Sequence, residues 1–440
     1  MDTLAGRRDV RHADRRLLGG AAGGRRAAAM SGAADDDPLQ GGWHRAGPAA
    51  HGYGGQLRQL HEALCDPLCQ QTSIVLLGDS ITWGLGLADN AEVFPRNHSL
   101  SDPRDLFHTR SWANEFKRAI GRDYFFGADA RLSNWPASLS GESTVTYRRR
   151  VALYPGLPPF LSTLTGSATG CHEMADGAAL LGYIFRMTDE AGQASQSLSF
   201  PFTGTEFELV FTSIAAHNPM DYELIVGGLS QGIFSTMGSN GHGARRTHQF
   251  AYVRRQQIEI RARRTLAAGV QHLELEAVCI DKQCRITNQG LIGSNAMICL
   301  ERSCGALGPA AVCEDDDFVL IQFGTNDRSA IFSKYRQPDS INNFARNMHT
   351  LVGRLESNAE LILMAPGPVA GEPSPEYAFS MLDVRNALNS IARHCGIDLV
   401  DHYAAQRHRE SADILSDRLH PNRIGHALIA ANLLHALRYA

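Results

Sequence analysis

The stretch Ser73-Ile-Val-Leu-Leu-Gly78-Asp79-Ser80, running on into Ile81-Thr82-Trp83-Gly84, carries the first strong structural signal in this 440-residue chain. An apolar run that stops at glycine is the pattern of a buried parallel strand feeding a tight turn. A hydroxyl in that turn lies at a strand-to-helix junction, where helix N-terminal amides stabilise developing negative charge. Ser80 is therefore a candidate nucleophile, with the plainer role of a helix cap open to it. Upstream, Leu57, Leu60 and Leu64 form a short helical stripe, and residues 1–55, rich in Gly, Ala, Pro and Asp without sustained periodicity, read as a flexible leader. Downstream, residues 111–120 have apolar side chains at helical spacing behind a capping Ser111, with Glu115 near the first turn.

From about residue 125 to 281 the texture changes to short alternating runs divided by Gly, Asn and Ser, such as Phe207-Glu-Leu-Val-Phe211, Tyr222-Glu-Leu-Ile-Val226, Gln257-Ile-Glu-Ile260 and His272-Leu-Glu-Leu-Glu276. These predict half-exposed antiparallel strands, and their spacing predicts a β-sandwich set inside the first module. The α/β rhythm then returns: Arg285-Ile-Thr-Asn288, a strand over 317–323, a helix over 341–355, a strand at 361–364, a helix near 380–394, a strand at 397–400 and a last helix from about 423 to 437. Strands alternating with helices predict a parallel sheet covered on both faces, with functional residues at the carboxyl ends of its strands. The expected organisation is a leader over 1–55, an α/β core split between 56–125 and 284–440, and a β-sandwich insertion over 126–283.

Size and composition fit an ordinary globular enzyme: 43% hydrophobic residues, 20% charged, and length enough for two folded units. With 42 Lys+Arg against 46 Asp+Glu the formal net charge is -4, too weak a field to predict a nucleic-acid partner or an anionic membrane surface. No apolar run approaches the roughly 20 residues that cross a bilayer. Residues 17–29 are broken by Arg25 and Arg26 where a signal peptide needs a continuous apolar core; Arg15-Arg16 ahead of Leu17-Leu18 faintly resembles a twin-arginine signal, and Met30 is a second candidate start. The default expectation is a cytoplasmic protein, with export by another route open. Nine cysteines without a CxxC pair predict buried free thiols, because the two Cys-x4-Cys steps (Cys279/Cys284 and Cys299/Cys304) are wider than usual zinc spacings.

Two further segments carry chemistry. Phe323-Gly-Thr-Asn-Asp327 ends another apolar strand, where the Asn326 amide can point into the same crevice as Ser80 and donate to an oxyanion, or serve as an ordinary turn residue. Asp417-Arg-Leu-His-Pro-Asn422 precedes the final helix, where a carboxylate three residues before His420 can orient its imidazole, or form a plain surface pair.

Taken in this order, the three segments resemble blocks I, III and V of the SGNH hydrolases, also called the GDSL family, and Asn288-Gln-Gly-Leu-Ile-Gly293 resembles block II. The resemblance spans about residues 70–125 and 285–440. It implies a flavodoxin-like three-layer α/β/α core and a serine esterase that needs no cofactor. By resemblance the triad is Ser80, His420 and Asp417, and the oxyanion hole is built from the backbone N–H groups of Ser80 and Gly293 with the Asn326 side chain. Ser80 and Gly293 are about 210 residues apart, whereas the family passes from block I to block II in a few tens. The β-rich segment accounts for the excess, an arrangement similar to carbohydrate O-acetylesterases, including those of peptidoglycan, in which a carbohydrate-binding-like jelly roll interrupts the hydrolase.

The expected substrate is an acylated glycan or small molecule. A lipase or thioesterase on longer chains, an acyltransferase, and a glycan-binding protein with a vestigial hydrolase core are the alternatives, and oligomeric state is not encoded. His426 reads as a helix-packing residue, Trp83 and Trp135 as core residues with sugar stacking open to them, and Glu314-Asp-Asp-Asp317 and Arg148-Arg-Arg150 as solvated charge.

Overall fold

The computed structural model of the protein describes residues 49–87, 104, 109–125, 143–164, 171–190, 196–238, 241–301, 312, 316–329 and 340–440. The first half of the chain gives β1 (Ala50–His51), α1 (Gln56–Cys65), β2 (Gln71–Gly78), α2 (Ser80–Trp83), α3 (Trp112–Tyr124), β3 (Ser143–Leu153), β4 (Leu161–Leu164), β5 (Cys171–Ala175), β6 (Tyr183–Glu190) and β7 (Gln196–Ser213). Then follow β8 (Asp221–Val226), β9 (Leu229–Phe234), β10 (Gly241–Arg263), β11 (Val270–Gly290), α4 (Ala296–Glu301), β12 (Phe318–Gln322), α5 (Ile341–Leu355) and β13 (Glu360–Ala365). The chain closes with α6 (Met381–Cys395), β14 (Asp398–Asp401), α7 (His402–Gln406), α8 (Ser411–Ile414) and α9 (Arg423–Tyr439).

The fold is α/β with a mixed sheet. Strands β14, β13, β12, β2 and β11 lie side by side in that order and pair in parallel. Their side chains alternate between two cores, as strand geometry requires. Ile74 and Leu76 of β2 face α1, α3 and α9, whereas Val75 and Leu77 face α4, α5 and α6. The continuous apolar run of the sequence is thus buried on both sides. The helix stops are local: Ser111 accepts the Asn114 N–H at the head of α3, Ser380 and Asp383 form a reciprocal capping box on α6, and Gly396 ends α6 in the left-handed conformation.

Strands β3 to β10 are antiparallel and join the same sheet through β11, which pairs with β3, β6 and β7 on the way to its parallel partner β2. A third apolar core lies within this region, built around Phe200, Phe202, Phe207, Tyr222 and Ile258. The boundary expected between residues 283 and 284 is not a break in the chain's course. It falls inside β11, which passes from the antiparallel region to the parallel one as a single strand, and Gln283 is already paired with Gln71. Lys282, at the crossing, is buried and donates to three backbone carbonyls, those of Ala63, Asp66 and Cys69.

Two expectations need correction. The leader expected through residue 55 ends earlier, since β1 pairs with β14 and Tyr53, Gly54 and Gly55 donate their N–H groups to Asp398 Oδ1 at 2.8, 2.9 and 2.9 Å. Asp398 Oδ2 takes the Leu57 N–H at 2.8 Å, so this carboxylate caps α1 from a distant strand where Gly55 offers no side chain. The acidic run is not a solvated loop at its described end: Asp316 and Asp317 are buried, held by Ser73, Arg285 and Tyr252. Glu314, Asp315 and Trp135 lie outside the described residues, as do residues 1–48 of the leader.

Replacing Asp398 by Ala should leave four backbone donors without their acceptor and cost about 3 kcal/mol of stability, read by urea denaturation. A variant as stable as wild type would show that the N-terminal segment is held by other contacts.

Candidate functional site

Three neighbouring parallel strands end in register. Gly78 of β2 stands opposite Gly290 of β11 on one side and Gln322 of β12 on the other. The Gly78-Asp79-Ser80 turn, the 291–294 loop and the 323–329 loop therefore leave the sheet side by side, at the carboxyl ends where open α/β sheets place their sites. Close backbone approach fixes their spacing. A Cβ on Gly290 would fall 2.3 Å from Trp83 N and 2.6 Å from the Thr82 carbonyl carbon, so only glycine lets β11 end against the turn that follows Ser80. Asn288 fastens the same contact, donating from Nδ2 to Thr82 O at 2.9 Å while its Oδ1 accepts the Gly290 N–H.

Ser80 is the first residue of α2 and 2% exposed. The Asp79 carboxylate caps the turn by accepting the Ile81 N–H at 2.9 Å, while the Ser80 amide has no acceptor within the helix. Ser80 Oγ lies 3.1 Å from His420 Nε2, and His420 Nδ1 lies 2.8 Å from Asp417 Oδ2. Partial burial works to raise the Asp417 carboxyl, but hydrogen bonds from the His420 ring and from the N–H groups of His420 and Leu419 outweigh it and hold it below the usual carboxylate range. An ionised carboxylate only accepts, so Nδ1–H donates to Asp417, and Nε2 presents its lone pair to the Ser80 hydroxyl. The three side chains form one donor–acceptor chain from a buried hydroxyl to an exposed carboxylate.

The loop that carries His420 is closed on itself. Ser416 donates both its N–H and its hydroxyl to His420 O, and Asn422 caps α9 through the N–H groups of Ile424 and Gly425 while donating to Asp413 O. On the opposite side of Ser80, Asn326 Nδ2 donates to Ser294 O at 2.8 Å, which ties the 323–329 loop to the loop carrying Gly293. Gly293 has φ +75, and a Cβ there would meet nothing within 4 Å. Asn326 retains a second amide hydrogen beyond the one given to Ser294.

The model of the GDSL-like lipase/acylhydrolase family matches residues 280–428. The matched residues make up about a third of the chain and are similar to that family. Among solved structures, the chain is similar to a peptidoglycan O-acetylesterase at 13% identity and a TM-score of 0.41, covering 89% of this chain and 100% of the other. It is also similar to the acetylxylan esterase Axe2 from Geobacillus stearothermophilus at 23% identity and a TM-score of 0.31 (36% and 74% covered), and to a lipase/acylhydrolase from Enterococcus faecalis at 21% and 0.30 (35% and 75% covered). No curated protein matches.

Around these strand ends the structure adds groups that the motifs alone leave without a role. Asp79 and Asp327 are both fully buried beside the strand ends. Burial pushes the Asp79 carboxyl up to about 6, against the Ile81 N–H, and pushes Asp327 up to about 7, against the Ala296 and Gly324 N–H groups and with Asp79's charge adding to the rise. Arg328, fully buried, pairs with Glu372 and lies 4.0 Å from the centre of the Tyr377 ring, so it holds the 372–377 segment over the 323–329 loop. Trp83 is buried in the core. No helix among the described residues is long and apolar enough to cross a membrane. Cys65, Cys69, Cys279, Cys284, Cys299 and Cys395 are free thiols.

Asp327 holds its proton more tightly in the folded protein than in the unfolded chain. The stability tied to that proton is full below the ordinary aspartate pKa and is lost as pH rises through about 7. Unfolding free energy of wild type should therefore decline across that window relative to Asp327→Asn; parallel pH–stability curves for the two proteins would rule out the raised carboxyl.

Proposed function

We propose that this protein is a serine O-acylesterase that removes acetyl groups from a carbohydrate, with Ser80 as nucleophile, His420 as general base and Asp417 as the group that orients it. The hydrogen-bonded chain from Ser80 Oγ through His420 to Asp417 carries this reading. As an ester carbonyl approaches Ser80, His420 Nε2 takes the hydroxyl proton and the oxygen attacks the carbonyl carbon. The resulting oxyanion is received by the backbone N–H groups of Ser80 and Gly293 and by the amide hydrogen of Asn326 that Ser294 leaves free. His420 returns the proton to the departing sugar hydroxyl, and water, activated by the same imidazole, releases acetate and restores Ser80. Asp417, ionised throughout, stabilises the imidazolium.

The carbohydrate part of the proposal rests on arrangement. The Gly78-Asp79-Ser80 turn and the Asn288–Gly293 run are separated in sequence by an antiparallel region with its own apolar core, which we read as an inserted sandwich module at the place where carbohydrate O-acetylesterases resemble this chain. It meets the hydrolase through β11, the strand that also ends at the site.

Wild-type protein should hydrolyse p-nitrophenyl acetate faster than the butyrate and octanoate esters and release acetate from O-acetylated glycans, and Ser80→Ala should abolish both. Asn326→Ala should lower the rate on the order of 100- to 1000-fold by removing one oxyanion donor. Octanoate preferred to acetate would redirect the proposal to a lipase or thioesterase, and Ser80-independent turnover would end it.

A further inference from the structure

His426 lies outside the proposed triad, six residues beyond His420 on α9, and is fully buried. Its ring has a partner at each nitrogen. The Trp112 N–H, one of the unsatisfied donors at the head of α3, points to Nδ1 at 3.2 Å, so Nδ1 is the acceptor. The hydrogen is then on Nε2, which donates to Leu85 O at 3.1 Å. Burial pushes the ring's pKa down to about 4, in keeping with a neutral imidazole of one tautomer.

Leu85 belongs to the turn that begins at Ser80. Its N–H donates to Ser80 O at 2.9 Å, alongside Gly84 N–H at 3.0 Å. One peptide segment therefore closes the nucleophile's turn with its N–H and receives His426 with its C=O. The next residue, Gly86, has φ +105, and a Cβ there would fall 2.8 Å from His420 Cβ and 2.4 Å from Pro421 O. Leu85 and Gly86 are thus wedged between the two ends of the 3.1 Å Ser80–His420 contact, and the imidazole of His426 is what fastens the wedge to the helix that follows His420.

We propose that His426 is a positioning residue: by donating to Leu85 O it sets the distance between the Ser80 hydroxyl and His420 Nε2. Its ring partners are the Trp112 N–H and Leu85 O, and it acts through Leu85, Gly86 and the start of α9. The inference rests on the Ser80–His420–Asp417 reading.

Two amide variants separate this role from general packing. In His426→Gln the side-chain amide extends far enough for its N–H to reach Leu85 O; in His426→Asn the shorter amide can accept from Trp112 but no longer donates to Leu85. Three quantities are measured on the full chain: melting temperature, kcat and KM for p-nitrophenyl acetate, and the rate at which a fluorophosphonate labels Ser80. His426→Asn should lower kcat and the labelling rate together by about 10- to 100-fold at nearly unchanged KM, the size expected when reacting groups are displaced by about an ångström, and His426→Gln should recover most of the loss. The proposal is overturned if the Asn and Gln variants lose activity equally, or only in proportion to the fraction unfolded. If wild type itself shows no labelling that Ser80→Ala removes, the triad reading fails first and takes this inference with it.

Discussion

The parallel pairing of β2 with β11 on one edge and β12 on the other places Gly78, Gly290 and Gln322 at one level of the sheet. Every group proposed to act on an ester is measured from that level. Ser80 follows two residues after Gly78, Gly293 three after Gly290, and Asn326 four after Gln322. A slip of one residue between β2 and either neighbour would also exchange the two cores, since Ile74 and Leu76 face one and Val75 and Leu77 the other. The burial that stabilises the α/β core and the alignment of the site are therefore the same constraint, and register cannot drift without losing both.

Around Ser80, exposure sorts the carboxylates. Asp417, its side chain 55% exposed, is held in its charged form by solvent and by the N–H groups of Leu419 and His420. Asp79 and Asp327 have no contact with solvent, and burial shifts both toward the protonated form. The imidazole of His420 thus has one fully anionic neighbour on its Nδ1 side, while the aspartate next to Ser80 in sequence serves as a helix cap. The division suits the role proposed for His420, a base that takes the proton of the hydroxyl and keeps its ring fixed while doing so.

Local signals were enough for much of this. The helix over 341–355 is marked by its cap and apolar spacing, and the strands after residue 316 by runs buried on both faces. Ser80, Asn326, Asp417 and His420 stand in short segments whose chemistry can be named from the residues alone. The course of β11 is different: burial is unbroken over residues 273–280 and alternates after them, and its sequence reads as two separate runs with a domain border between. Alternation reports what covers each face of a sheet, and a strand that runs from one kind of cover to another changes pattern without breaking. Asp316, Asp317 and Asp398 escaped for a related reason, because the partners that bury them, Ser73, Tyr252 and the amides of 53–57, are far away in sequence. The work of Asn288, Gly86 and His426 is likewise hidden, since each acts on backbone carbonyls or through close contact, and no motif spells that out.

The unbroken course of β11 bears on how such a protein can change. At roughly 3.3 Å per residue its 21 residues reach about 70 Å, from the antiparallel strands to the rim of the site. A segment joined by two flexible linkers can be exchanged like a cassette, but an antiparallel region whose last strand is also an inner strand of the parallel sheet cannot. Cutting at residue 283 would sever β11 where its pairing with β2 begins and part Lys282 from the three carbonyls it holds. Any exchange of the antiparallel region has to carry the shared strand along with it.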